Sequence, residues 1–230
     1  MRSPSQTREI EGWGYLLLLA LLLAMFAAQP WAGRSEVGTI LVQLAYRAII
    51  IGALIVVSSR RWVIVCGMVL IGTGVVLDQV NGGSGGLISV LAGACSLAVV
   101  LIVIGIFLGD VLQHPRVTVG TIGGSICVFV LIGIAWMLMY GITDQILVDA
   151  FHGLSPKGGR ERSGELFYFS FVTLTTLGYG DITPARPETM SLATLEAVVG
   201  QLYLVVMVAA FVGRRGDRVA VPDRHDDRSR

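Results

Sequence analysis

Charged residues are scarce in this chain. Asp, Glu, Lys and Arg make up 14% of the 230 residues, whereas 54% of the residues are hydrophobic. A typical soluble globular domain carries about 25% charged residues, so this composition excludes that class and predicts a protein that lies in a lipid bilayer. The formal net charge is only +1 at pH 7, so no excess of positive charge indicates a nucleic-acid partner. We therefore expect membrane lipids, and no nucleic acid, as partners.

Cysteine and histidine are also few, and their spacing predicts no metal or catalytic site. Each of the three cysteines lies inside an apolar run: Cys66, Cys95 and Cys127. Each of the three histidines lies in a predicted loop or in the tail: His114, His152 and His225. Neither set has the spacing of a zinc site, and apolar runs do not favour disulfides. We predict buried thiols, no cofactor and no enzymatic activity.

Apolar runs long enough to cross a bilayer, which takes about 20 residues in a helix, occur six times. The six segments are Gly12–Ala32, Val37–Ser58, Trp62–Val80, Leu87–Leu108, Val117–Ile142 and Thr189–Gly213. The first could instead be a cleaved signal peptide, but Glu9 and Glu11 in its basic start and the poor cleavage site near Pro30 favour a span. The sequence therefore predicts an all-α membrane protein with six transmembrane helices.

The distribution of Lys and Arg predicts how the helices are oriented. With six spans both termini lie on one side, and that side carries 11 of the arginines, against five basic residues on the other. Basic loops mark the cytoplasmic face. We expect a multi-pass protein of the cell membrane with both termini cytoplasmic and with residues 141–187 outside.

A glycine-containing motif, TTLGYGD, occupies Thr175–Asp181 within that external segment. Non-helical backbone at membrane depth is tolerated only where it is buried in protein or lines an aqueous cavity. Gly178 and Gly180 can adopt φ > 0 without strain, so successive carbonyls can be aimed at one axis. The Thr176 hydroxyl can add a further ring of oxygens. The preceding stretch 164–175 is too short to span and predicts a re-entrant helix whose carbonyl end favours a cation.

A Gly-Tyr-Gly triplet alone is typical of an ordinary tight turn, but here seven consecutive motif residues follow a short helix between two spans. On these residues, 117–213 resembles the pore module of the potassium channel superfamily, and the chain resembles its prokaryotic six-span members. The resemblance implies a homotetramer around a central pore that conducts K⁺ passively. Carbonyl rings would replace the water around the ion, as in the TVGYG filter of potassium channels.

The resemblance also implies roles for individual residues. K⁺ would bind at Thr176, Leu177, Gly178 and Tyr179, with Gly180 completing the filter and Leu177 standing where TVGYG has Val. Thr175 and Asp181 would support the filter, and Gly200 would be a gating hinge in the last helix. Three residues near this glycine would face the cavity: Gln201, Leu204 and Val208.

Two departures from the family pattern concern the filter and the gate. Many relatives brace the filter with a Trp pair in the pore helix, and the matching positions here are predicted to be Phe169 and Ser170. We therefore expect a looser outer filter and faster inactivation. The last helix also lacks a Pro-x-Pro kink, so its gate is not expected to resemble that of animal voltage-gated channels.

Charges inside the predicted spans bear on voltage and pH. The fourth span, Leu87–Leu108, contains no charged residue, whereas each sensor arginine that crosses the field contributes about 2.3 kcal/mol per 100 mV. Steep voltage dependence is therefore not expected. Arg47 in the second span is either a voltage-sensing group or, as we favour, part of a static pair with Asp78. Glu196 is predicted to face the pore helix, where it would hydrogen-bond behind the filter or be protonated and make conduction pH-sensitive.

The predicted organisation has five parts: an N-terminal segment 1–11, a sensor-like four-helix domain 12–109, a linker 110–116, a pore domain 117–213 and a tail 214–230. The tail is too short for the domains that gate many relatives, so the gating stimulus stays open. Two other functions also stay open, a potassium transporter with fused repeats and a non-selective cation channel. One intact filter in 230 residues argues against the first, and the intact Gly-Tyr-Gly argues against the second.

Overall fold

The computed structural model describes residues 17–24, 67–70, 72–74, 86–113, 117–156 and 160–216. Its four long helices are α1 (Leu87–Gln113), α2 (Val119–Ile146), α3 (Arg160–Leu174) and α4 (Pro187–Gly216). Two short strands, β1 (Phe151–His152) and β2 (Thr183–Pro184), pair antiparallel. Residues 17–24, 67–70 and 72–74 are also helical.

Three helices in the described part of the chain are long and apolar enough to cross a membrane: Leu87–Gly109, Val119–Ile146 and Pro187–Gly213. They coincide with the last three predicted spans to within a few residues, so membrane-capable helices are confirmed there. α1 continues to Gln113, into the predicted linker 110–116. Most of the first three predicted spans lies outside the described residues, as do Arg47, Asp78 and Cys66.

A buried apolar core joins α1 to α2 and reaches α3. Val99, Val103 and Phe107 of α1 pack in one cluster with side chains of α2, with Phe167 of α3 and with Leu18 and Leu22 of the helical residues 17–24. At the start of α2, the Thr118 side chain accepts a hydrogen bond from the Thr121 backbone N–H, and the Thr121 side chain accepts one from the Thr118 N–H. This capping box satisfies two backbone donors that the first turn leaves unpaired.

A second cluster, centred on Tyr140 of α2, fixes α3 and the two strands at the other end of α2. The Tyr140 ring meets the Phe151 ring at a centroid distance of 5.5 Å and the Phe169 ring at 5.1 Å, both edge to face. Ile182, next to β2, belongs to the same buried cluster. Aromatic pairs in this geometry add to the free energy gained by burial. The short helix α3 and the segment after the motif are therefore both held against α2.

Candidate functional site

Polar contacts at the start of α3 hold this helix in place. The Ser155 backbone N–H donates to Glu165 Oε2 over 3.0 Å, and the Ser155 hydroxyl donates to Glu165 Oε1. Arg162 forms an ion pair with Asp144 of α2, with 3.0 Å between nitrogen and oxygen. These contacts tie α3 to its preceding loop and to α2, so the end of α3 that carries the motif has a defined position.

The motif begins directly at the C-terminal end of α3. The Thr175 N–H donates to Phe171 O over 3.1 Å and the Thr176 N–H to Thr173 O over 2.9 Å. The Leu177 N–H then reaches back to Val172 O over 2.9 Å. Helix carbonyls that would otherwise lack a partner are thereby bonded. The segment Thr176–Gly180, which is the predicted filter and is here called the filter strand, is thus anchored at its start on the last turn of α3.

Backbone conformation alternates along the filter strand. Thr176, Gly178 and Gly180 have positive φ angles of 59°, 59° and 80°, and the residues between them do not. The positive values at Gly178 and Gly180 were expected from sequence, whereas the value at Thr176 was not, because a β-branched residue rarely adopts it. All residues from Thr175 to Asp181 are exposed on the surface of the single chain.

Tyr168 of α3 lies beside the filter strand, which corrects a sequence prediction. Its ring stacks on that of Tyr179, with centroids 6.3 Å apart and planes 6° apart. A side-chain hydrogen bond to Asp181, the largest contribution, raises the pKa of Tyr168. The filter neighbour in α3 is therefore Tyr168, and the assignment of the brace positions to Phe169 and Ser170 was wrong.

The reason lies in the phase of α3. Phe169 points into the cluster around Tyr140, with its ring 5.4 Å from that of Phe151, and Ser170 is fully buried. Successive helix residues are about 100° apart around the axis. An error of one residue in aligning α3 with its relatives therefore assigns the filter-facing positions to residues that are buried. The prediction of a looser outer filter rested on the assignment to Phe169 and Ser170. Because Tyr168 places an aromatic ring and a hydroxyl beside Tyr179, that reason for a looser filter no longer holds.

The exit of the filter is fastened to the loop after α2. In the two-stranded sheet Phe151 pairs with Pro184 and His152 with Thr183. Gly153 has φ 83°, and a Cβ on this glycine would lie 2.0 Å from the Asp181 carbonyl oxygen. Only glycine allows backbone to come this close. This contact was not predicted from the sequence, in which the glycine after Phe151 and His152 is the signal for it.

Glu196 of α4 faces the pore helix, as predicted. Its Oε1 is 2.5 Å from the Ser170 hydroxyl of α3, and its Oε2 is 2.5 Å from the Tyr140 hydroxyl of α2. Glu196, Ser170 and Tyr140 are all completely buried. A buried polar cluster therefore joins the three helices behind the filter.

Gly200 lies where α4 crosses the end of α3. It is buried, and a Cβ there would lie 2.8 Å from the carbonyl oxygen of Leu174, the last residue of α3. α4 continues through Gly200 to Gly216, so this glycine serves close packing, and its role as a gating hinge stays a prediction. The residues predicted to face the cavity are exposed in the single chain: Gln201, Leu204 and Val208.

The cysteines behave only partly as predicted. Cys127 is buried in the core between α1 and α2, whereas Cys95 of α1 is half-buried. Among the described residues, no group of three or more His, Cys, Asp or Glu side chains could hold a metal ion.

Comparison with known proteins supports the interpretation of this site as part of an ion channel. The sequence profile of a family described as "Ion channel" matches residues 155–215. Those residues contain α3, the filter strand, β2 and nearly all of α4. The match thus falls on the part of the chain in which the structure brings the predicted site residues together.

A curated relative supports the same assignment. The chain is 32% identical over 79 residues to the inward rectifier potassium channel Kirbac3.1 of Paramagnetospirillum magnetotacticum. The shared region is 33% of this chain and 27% of the relative, so the chain spans about a quarter of that protein's length. No solved structure matches the chain significantly. The motif, the family match and this relative together support assignment of the chain to the potassium channel superfamily, and the match to the ion channel family lies on residues 155–215.

Proposed function

We propose that the chain is one subunit of a potassium-selective channel that conducts K⁺ passively across the cell membrane. The observation that carries this proposal is the alternation of φ along Thr176–Gly180, directly after α3 and before a membrane-capable helix. Alternating φ allows successive carbonyls to face one side of the strand, which an extended strand does not allow. The relative that carries the name of a potassium channel supports the choice of ion.

The filter is the proposed ion-binding site. Carbonyl oxygens of Thr176, Leu177, Gly178 and Tyr179 from several subunits would replace the water that K⁺ sheds, and the Thr176 hydroxyl would add a ring at the inner end. Leu177 changes only a side chain, so the carbonyl stays available. The C-terminal end of α3 carries a partial negative charge that would favour a cation in the cavity below.

The proposed assembly is a homotetramer of six-span subunits with cytoplasmic termini. Each filter strand is exposed on its own subunit, and a strand that coordinates an ion from one side needs further copies to close the ring. The three membrane-capable helices described would be the last three spans. The apolar outer surface would contact lipid.

The channel is proposed to lack steep voltage dependence. The membrane-capable part of α1, Leu87–Gly109, contains no charged residue, so this helix cannot carry gating charge through the field. A contribution from Arg47 would have to come from the second span.

Reconstitution in lipid vesicles or bilayers tests the proposal. With K⁺ on one side and Na⁺ on the other, the reversal potential should follow the K⁺ gradient, and the conductance should change little with voltage. A reversal potential that ignores the K⁺ gradient would end the potassium-channel proposal, and one near zero in the mixed gradient would indicate a non-selective cation channel. Flux that saturates and needs a co-transported ion would indicate a transporter.

A further inference from the structure

The polar cluster behind the filter contains three oxygen–oxygen contacts. The Tyr140 hydroxyl lies 2.5 Å from Glu196 Oε2, and the Ser170 hydroxyl lies 2.5 Å from Glu196 Oε1. The Ser170 hydroxyl also lies 2.8 Å from the backbone carbonyl oxygen of Gly133 in α2. Each contact is short enough to be a hydrogen bond, so each one requires a hydrogen between its two oxygens.

The hydroxyl groups do not supply enough hydrogens for these contacts. Tyr140 and Ser170 each contribute one hydrogen, the Gly133 carbonyl contributes none, and an ionised Glu196 contributes none. If Ser170 donates to Gly133 O, an ionised Glu196 Oε1 faces a lone pair of Ser170. If Ser170 instead donates to Glu196 Oε1, the Ser170 oxygen faces the Gly133 carbonyl oxygen with no hydrogen between them. A hydrogen on the Glu196 carboxyl is what completes all three bonds.

The surroundings of Glu196 also disfavour a charge. Of the groups in contact with its carboxyl, Tyr140 from α2 is titratable and Ser170 from α3 is not. Arg162 forms its ion pair with Asp144, and Arg186 donates to the Val148 carbonyl oxygen, so both of these cations are bonded away from Glu196. A carboxylate with no exposed surface, no cation partner among the described residues and a position within a membrane-capable helix is costly to ionise.

We propose that Glu196 is held as a neutral carboxylic acid and acts as a positioning residue for the pore helix. Glu196 donates to Ser170, Ser170 donates to Gly133 O, and Tyr140 donates to Glu196 Oε2. The chain of bonds runs from α4 through α3 to α2 with every hydrogen used. The proposal deepens the proposed channel function, because Ser170 belongs to the last turns of α3, from which the filter strand begins.

The neutral state predicts which replacements of Glu196 are tolerated. In Glu196→Gln the side-chain NH₂ can donate to Ser170 while the amide oxygen accepts from Tyr140, so the bond directions are preserved. In Glu196→Ala both hydroxyls lose their partner, and buried groups without partners are costly. We expect the Gln variant to keep the wild-type K⁺/Na⁺ selectivity, and the Ala variant to lose selectivity and several degrees of thermal midpoint.

Outcomes that contradict the proposal are equally specific. A Gln variant as impaired as the Ala variant would show that the cluster needs an ionised carboxylate. An Ala variant with wild-type selectivity would show that Glu196 does not position the filter. A pH dependence of the current that is present in wild type and absent in the Gln variant would show that Glu196 titrates and is a pH sensor instead.

Infrared spectroscopy tests the protonation state without requiring conduction. The difference spectrum of wild type minus Glu196→Gln at neutral pH should contain the C=O stretching band of a protonated carboxyl. The control is Glu188→Gln, which changes an exposed carboxylate in the first turn of the same helix and should leave that band in place. A wild-type spectrum without the band overturns the neutral state, whereas failure of the potassium-channel proposal would leave this readout unaffected.

Discussion

Tyr168 shows how one side chain can couple the pore helix to the filter. Its ring stacks on Tyr179 inside the filter, and its hydroxyl bonds Asp181 just beyond the filter. The hydrogen bond to Asp181 raises the pKa of Tyr168, so the hydroxyl keeps its hydrogen at every pH below the ordinary tyrosine value of about 10. The Tyr168 hydroxyl is therefore expected to remain a hydrogen-bond donor throughout the neutral range.

Replacing Tyr168 by Phe should destabilise the outer end of the filter. The variant keeps the stacked ring and loses the hydrogen bond to Asp181, a bond strengthened by the negative charge of the carboxylate. We expect the current at constant voltage to decay several-fold faster than in wild type, most clearly at low external K⁺, measured in planar bilayers.

A second Tyr→Phe change provides the control for this prediction. Tyr203 of α4 donates to Ser125 O of α2 over 2.6 Å, so Tyr203→Phe also removes one hydroxyl bond, but not one to the filter. It should leave the decay rate unchanged. Equal decay in wild type and Tyr168→Phe would mean that the pairing of β1 with β2 alone holds Asp181.

At the scale of the element, the sequence predicted the helices better than their rotation. The runs that became α1, α2 and α4 are recognisable because apolar length is a local property of the chain. The re-entrant helix α3 was predicted from its shortness and its motif. Which side of α3 meets the filter depends on tertiary contacts, and the side assigned to Phe169 and Ser170 was the wrong one.

Other features of the site left almost no pattern in the sequence. Strands of two residues, such as β1 and β2, have no periodicity to detect, so the attachment of the filter exit to Phe151–Gly153 was missed. The position of Glu196 against the pore helix was predicted, because a carboxyl in an apolar span must face protein. Its particular partners, Tyr140 and Ser170, depend on how three helices pack and could not be predicted.

Gly200 sets how closely α4 approaches the end of α3. In Gly200→Ala the added Cβ would meet the Leu174 carbonyl oxygen at 2.8 Å, and backbone cannot rotate away as a flexible side chain can. We expect a loss of roughly 1–3 kcal/mol from overpacking, reduced by up to about 1 kcal/mol because Ala favours helix. A lower thermal midpoint of the purified protein would be the measured result.

The matched control for this change lies in the same helix. A Cβ on Gly213 would have no atom of a described residue within 4 Å, apart from its chain neighbours and the backbone of its own helix, so Gly213→Ala should be neutral or slightly stabilising. If Gly200→Ala left the thermal midpoint unchanged and altered only the open probability, the gating-hinge prediction would replace the packing explanation.

At the scale of the whole molecule, the single chain leaves the Thr175–Asp181 motif and one face of α4 exposed. The filter strand is exposed, and α4 exposes apolar side chains at the spacing of one helix face: Leu195, Val198, Val199, Leu202, Val205 and Val206. Lipid can cover apolar side chains, but it cannot pair with the backbone groups of a non-helical strand. In the proposed assembly, further copies of the chain would surround the filter strand.

Counting subunits decides whether this requirement is met by four copies. Wild-type chains and chains with a long C-terminal tag, expressed together, should form mixed assemblies that native mass spectrometry separates by tag number. A cyclic tetramer gives five tag classes and a dimer gives three. Tetramers that persist on dilution in detergent, with the K⁺ selectivity of wild type in bilayers, are the expected result. Three classes, or monomers that still conduct K⁺ selectively, would contradict a filter built from four strands, because a carbonyl ring cannot close around an ion with fewer contributors.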